Sequence, residues 1–195
     1  MSFVSAVVGY NFISLVTDGR AMRDGKIVDE KCIKMQQPVE GLLIGYTGIK
    51  EVCEGIIKES LAKSSDLRKL NLLADNMEEY CISLPSNTKA FFIIAGVNSD
   101  AYNQLITLSN KGVTKNLIAN VNGIMHTAHS GSEALELHNE LYKQAERNFN
   151  HNLENVRGLE DIISAQTTFN DAIAEFDISV NKEHDVRFIA TRRQI

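Results

Sequence analysis

The sequence predicts an α+β protein: a four-layer α-β-β-α sandwich, with two antiparallel sheets between helix pairs. Three observations lead there. The 195-residue chain opens with β-branched and aromatic stretches joined by short turns. After Gly48 the hydrophobic period lengthens from two to about 3.6 for two helices, and the whole order of strands and then two helices recurs once. Both faces of the opening strands are apolar, so their sheet needs cover on each side.

Taken in order, residues 3–8 and 12–17 read as strands, with Gly9-Tyr10-Asn11 as the hairpin turn between them. Arg23-Asp24-Gly25 marks a loop. Short strands follow near Ile27 and Val28, at 32–36 and at 42–47, with Pro38 and Gly41 turning the last two. Ile49, Val52, Cys53, Ile56, Ile57 and Leu61 make one helical stripe. Leu67, Leu70, Ala74, Met77, Cys81 and Leu84 make a second, on a helix over 66–84 with Asp66 as N-cap and Pro85 as its stop. Strands return at 90–97, 104–108, 113–118 and 124–128.

A third helix over 133–148 carries Leu135, His138, Leu141, Tyr142, Ala145 and Phe149 on one face. A fourth over 159–175 carries Leu159, Ile162, Ile163, Phe169, Ile173 and Phe176. Residues 150–158 connect them as a polar loop, and strands near 178–180 and 186–190 close the chain. No repeat or linker divides it, so residues 1–195 are expected to form a single domain.

Composition narrows the function. With 44% hydrophobic and 23% charged residues the chain is not disordered. A net charge of -5 gives no basic surface, so nucleic acid is not an expected partner, and Arg192 and Arg193 read as a solvated tail. No apolar run approaches the roughly 18 residues of a membrane span, so no membrane partner is expected. The opening Met-Ser-Phe-Val-Ser-Ala lacks a signal-peptide pattern. Cys32, Cys53 and Cys81 cannot pair completely and lack metal-ligand spacing, which suits reduced thiols in the cytoplasm. His126 and His129, three apart in a strand, face opposite ways and share no metal. No metal or cofactor is expected.

The chemistry gathers at the chain start. A hairpin centred near Tyr10 sets Ser2 opposite Asp18, with Cβ atoms roughly 4.5–5.5 Å apart. Removal of Met1 ahead of the small Ser2 would leave a serine with a free α-amine, a nucleophile and a base on one residue. Such an amine ordinarily titrates near 7.7–8.0, and a neighbouring cation keeps it neutral. Alternation along 31–35 groups Lys31 with the apolar Ile33 and Met35. A lysine on that face needs a partner, and Asp18 is expected to supply it. Gly48 ends a strand where a helix begins, so a backbone N–H there is available to an oxyanion.

These residues resemble the proteasome β-subunits and their bacterial two-component relatives, within the N-terminal nucleophile hydrolases. The matching segments are Ser2, Asp18-Gly19-Arg20, Lys31 followed by Cys-Ile-Lys-Met, and Gly45-Tyr46-Thr47-Gly48. Ser2 and Asp18 are 16 positions apart, as in that family. The step from Asp18 to Lys31 is a few residues shorter than is typical, which a shorter loop would explain. In His129-Ser130-Gly131-Ser132, Ser130 matches the family serine that bonds near the nucleophile's amine. Asp177 matches an aspartate after the fourth helix, although Ile178-Ser179-Val180-Asn181 lacks the expected glycines, and Asp171 is a rival.

The resemblance implies a peptidase in which Ser2 forms an acyl-enzyme, with Asp18, Lys31, Gly48, Ser130 and Asp177 around it. It also implies a peptide or unfolded-protein substrate, a homo-oligomer, and an AAA+ ATPase partner. A non-catalytic shell or binding protein on the same fold, and a small-molecule amide hydrolase, are the alternatives.

Overall fold

A computed structural model describes residues 2–120, 123–131 and 139–191. Apolar residues with alternating faces build β1 (Phe3–Gly9) and β2 (Phe12–Asp18), joined through Tyr10 and Asn11. In β1, Val4, Ala6 and Val8 enter one core while Phe3 and Val7 enter another, because successive side chains take opposite faces. The two strands form the centre of a four-stranded antiparallel sheet, completed by β10 (His126–Gly131) beside β1 and β11 (His184–Ala190) beside β2.

The second sheet has five antiparallel strands in sequence order: β5 (Met35–Val39), β6 (Leu42–Gly48), β7 (Ala90–Val97), β8 (Asn103–Ser109) and β9 (Gly112–Ala119). Pro38 lies on the edge strand β5, where its missing N–H costs no ladder bond. A two-stranded ribbon, β3 (Ala21–Arg23) and β4 (Lys26–Asp29), stands apart. Helices α1 (Lys50–Lys63) and α2 (Leu70–Ile82) cover the five-stranded sheet through Ile57, Leu73 and Met77. Helices α3 (Asn139–Glu154) and α4 (Leu159–Ala174) cover the four-stranded sheet through Tyr142, Phe149, Phe169 and Ile173. Between the sheets lie Val4, Leu15, Leu43, Ile93 and Leu105. The order of layers is α-β-β-α, as expected.

Several boundaries move. Helix α2 starts at Leu70, and Asp66 instead accepts from the Arg68 N–H in a turn ahead of it. Helix α3 runs on to Glu154, through much of the segment expected as a loop. Its predicted start over 133–138, with Leu135 and His138, lies outside the described residues, as do Met1, Arg192 and Arg193. Residues 178–180 form a turn rather than a strand. Ile49 and Leu141, expected on buried stripes, are exposed.

Beneath the hairpin lies a buried polar contact that hydrophobic patterning does not reveal. Gln166 of α4 accepts the Ser14 hydroxyl and donates to the Ser5 carbonyl oxygen at 3.1 Å and hydroxyl at 3.3 Å. It ties the helix layer to both central strands.

Candidate functional site

The hairpin register differs from expectation by one residue. Val4 pairs with Thr17 and Gly9 with Phe12, so continuation of the ladder puts Phe3, not Ser2, level with Asp18. The consequence is a direct bond: the Phe3 N–H donates to Asp18 Oδ1 at 2.7 Å. Asp18 is thus fixed against the peptide unit that joins Ser2 to Phe3. Ser2 is itself buried, and alternation gives it the face of Val4, between the sheets.

The lysine is the main correction. Lys31 is exposed at the surface, and its backbone N–H donates to Asp29 Oδ1. Lys34 takes the place expected of it: Lys34 Nζ lies 2.9 Å from both Asp18 Oδ1 and Oδ2 and also donates to the Arg20 carbonyl oxygen. Residues 31–34 still alternate, but with Cys32 and Lys34 inward and Lys31 and Ile33 outward. The expected phase followed the apolar Ile33. In the structure two backbone bonds set it: Cys32 N–H to Gly19 O at 2.7 Å and Tyr46 N–H to Lys34 O at 3.1 Å. A buried carboxylate needing a cation outweighs one isoleucine, because an unpaired internal charge costs several kcal/mol and an exposed isoleucine forgoes about 2. The short interval from Asp18 to Lys31 was the signal, since three more residues lead to Lys34.

Each Asp18 oxygen is fully occupied: Oδ1 by Phe3 and Lys34, Oδ2 by Arg20 N–H at 2.8 Å and Lys34. Burial outweighs the pairing for both partners. It raises the Asp18 carboxyl above its ordinary range and lowers the Lys34 ammonium below its own. A lysine so placed releases its proton more readily than one in water.

Gly48 ends β6 with φ +134, and an added Cβ would meet the Lys89 carbonyl oxygen at 2.4 Å, so no other residue fits without strain. The Tyr46 N–H points toward Lys34. The two-residue repeat of the strand sends the Gly48 N–H toward the same edge. Cys53 lies beneath Gly48, and burial pushes its thiol up to about 12, so it stays a neutral packing group.

Ser130 is half-buried on β10, level with Val4, and so shares the Ser2 face. Ser132 lies outside the described residues. Asp177 follows α4 and is largely buried. Its Oδ1 accepts from Ser179 N–H at 2.8 Å and from Ser179 Oγ at 2.7 Å, while Oδ2 has no partner among the described residues. The rival Asp171 instead pairs with His184 Nε2 at 2.9 Å.

Arg20 and Asn181 bring the Asp177 turn to the Asp18 loop. Arg20 Nη1 donates to Ile178 O at 2.7 Å and Arg20 Nε meets Glu30 at 3.0 Å. Gly19 N–H donates to Asn181 Oδ1 at 2.9 Å, and Asn181 Nδ2 donates to Glu30 Oε2 at 2.6 Å. Those bonds hold the Glu30 carboxyl below its ordinary range. Asn181 and Glu30 carry no sequence signal, because their partners are up to 162 positions away. Among the described residues no cluster of three or more metal-ligating side chains occurs. A cavity of about 840 Å³ lies at the opposite end of the hairpin, around Tyr10, Phe12 and Phe188, away from Ser2.

Solved structures share the fold of this chain. Eukaryotic HslV from Trypanosoma brucei superposes with a TM-score of 0.68 at 12% identity, over 96% of this chain and 99% of that one. Anbu, an ancestral beta-subunit from Yersinia bercovieri, superposes with a TM-score of 0.68 at 15% identity, over 95% of this chain and 80% of that one. The chain therefore shares the proteasome-like α-β-β-α fold of these two proteins. No model of a protein family matches the sequence, and no curated protein does.

Proposed function

We propose that the protein is a peptidase whose nucleophile is Ser2, exposed at the chain terminus by removal of Met1. The observation that carries this reading is the buried Lys34–Asp18 ion pair tied to the backbone of the residue after Ser2. Ser2 Oγ attacks the peptide carbonyl carbon while its own α-amine takes the hydroxyl proton. Lys34 stabilises negative charge at Oγ and keeps the amine neutral. Asp18 holds Lys34 in place. The Gly48 N–H receives the oxyanion, and Ser130 and Asp177 orient the amine. As the tetrahedral intermediate collapses, the α-ammonium gives that proton to the leaving nitrogen, the amine product departs, and an ester remains on Ser2, which water hydrolyses.

The same reading assigns the chain to a homo-oligomer enclosing its sites, fed with unfolded protein by an AAA+ ATPase. It places the protein in the cytoplasm. The test is cleavage of short fluorogenic peptides by purified protein. Ser2→Ala is expected to abolish turnover and Ser2→Thr to retain it. Unchanged cleavage by Ser2→Ala would overturn the assignment.

A further inference from the structure

His129 precedes Ser130 in β10, and alternation sends the two side chains to opposite faces. Ser130 looks between the sheets toward the Ser2 side. His129, level with Ser5, enters the helix layer. There each ring nitrogen has a partner on α3: Nδ1 lies 2.6 Å from the Tyr142 hydroxyl, and Nε2 lies 3.0 Å from Glu146 Oε1. Phe149 and Phe169 meet the ring edge to face, with centroids 6.4 and 5.1 Å away. A neutral imidazole protonated on Nε2 satisfies both bonds, donating to Glu146 and accepting from Tyr142. Among the described residues the other charge bearing on it is Lys115 of β9, whereas α4 presents the ring of Phe169 and β1 presents Ser5.

We propose that His129 is a positioning residue for the Ser2 site: as a neutral bridge to Tyr142 and Glu146 it pins β10 to α3 and so holds Ser130 at the nucleophile. The inference rests on the peptidase reading above. Protonation puts a hydrogen on Nδ1. The Tyr142 hydroxyl must then turn to accept it, and its own proton loses its partner in a buried place. The Tyr142 tie is thereby weakened while the Glu146 contact gains charge, and burial of the ring outweighs that gain, so protonation loosens β10 from α3 on balance. Burial holds the His129 ring below its ordinary 6.5, so the neutral bridge persists through neutral pH and fails in acid.

The experiment measures the rate of Ser2 acylation by a peptide β-lactone from pH 5 to 8, in the wild type, His129→Gln and Tyr142→Phe. The Ser2 amine titrates in all three, so the wild-type to variant ratio isolates His129. The ratio for His129→Gln is expected to be about tenfold above pH 7, as a small misplacement of a positioning group gives. It is expected to fall toward one as pH drops below 6.5. Tyr142→Phe keeps the ring packing and removes one tie, guarding against misfolding of the histidine variant, and is expected to lose about threefold above pH 7. A ratio that does not change with pH assigns His129 a merely structural role and overturns the proposal, as do equal rates in all three proteins. Absence of wild-type labelling overturns the peptidase reading and this inference with it. Wild-type labelling with equal variant rates overturns the inference alone.

Discussion

Lys34 and Asp18 are held almost completely out of water, so each depends on the other. Removing one partner of a buried pair costs about 3–5 kcal/mol because the remaining charge is stranded. Lys34→Met is therefore expected to lower stability by that order in denaturant unfolding, and to slow Ser2 acylation on the order of 10²–10³-fold. Lys31→Ala, at an exposed site, is expected to move stability by less than about 0.5 kcal/mol and leave acylation unchanged. Equal losses in the two variants would contradict the placement of the ion pair. Gly48→Ala is expected to cost about 1–3 kcal/mol through its positive φ and the Lys89 carbonyl, read as a lowered unfolding midpoint. At this scale the sequence named Asp18 and Gly48 through their position at strand ends. It misplaced the lysine, because alternation defines two faces but not which one turns inward, and Ile33 pointed to the wrong one.

Among the elements, β10 and the helix layer behind it join the core to the site. Gln166 supports β1 and β2 from α4, and Gln166→Ala is expected to cost about 2–3 kcal/mol in thermal or denaturant unfolding by stranding the Ser5 and Ser14 groups. His129 adds a pH dependence with a definite sign. Its folded-state value is lowered by burial, so the unfolded chain binds the proton more tightly. Its contribution to stability is complete above about pH 6.5 and is lost as pH falls from there through the folded-state value. Urea midpoints are expected to decline over that window in the wild type and to decline less in His129→Gln. The strands and helices that enclose these residues were legible because their periods of two and about 3.6 are set by core burial. Helix ends were less so: no strong cap marks the start of α2, and in the polar tail of α3 only Leu153 continues the apolar stripe.

Among the described residues, the two large sheets and the helices that cover them carry the hairpin so that its open end, and not its turn, holds the ion pair. Layer order was legible from the recurrence of strands followed by paired helices. The closing contacts of the site were not, because Arg20, Glu30 and Asn181 join segments from opposite ends of the chain. If the sites are enclosed by an assembly, light scattering is expected to give a mass several times that of the chain, and a monomer would contradict that part of the reading. The proposed chemistry depends on residue 2 as the nucleophile. Its most direct test is the intact mass and peptide map of untagged protein after reaction with a peptide β-lactone. The expected result is a chain lacking Met1, with one adduct on Ser2 that disappears in Ser2→Ala. A retained Met1, or an adduct that survives Ser2→Ala, would contradict it.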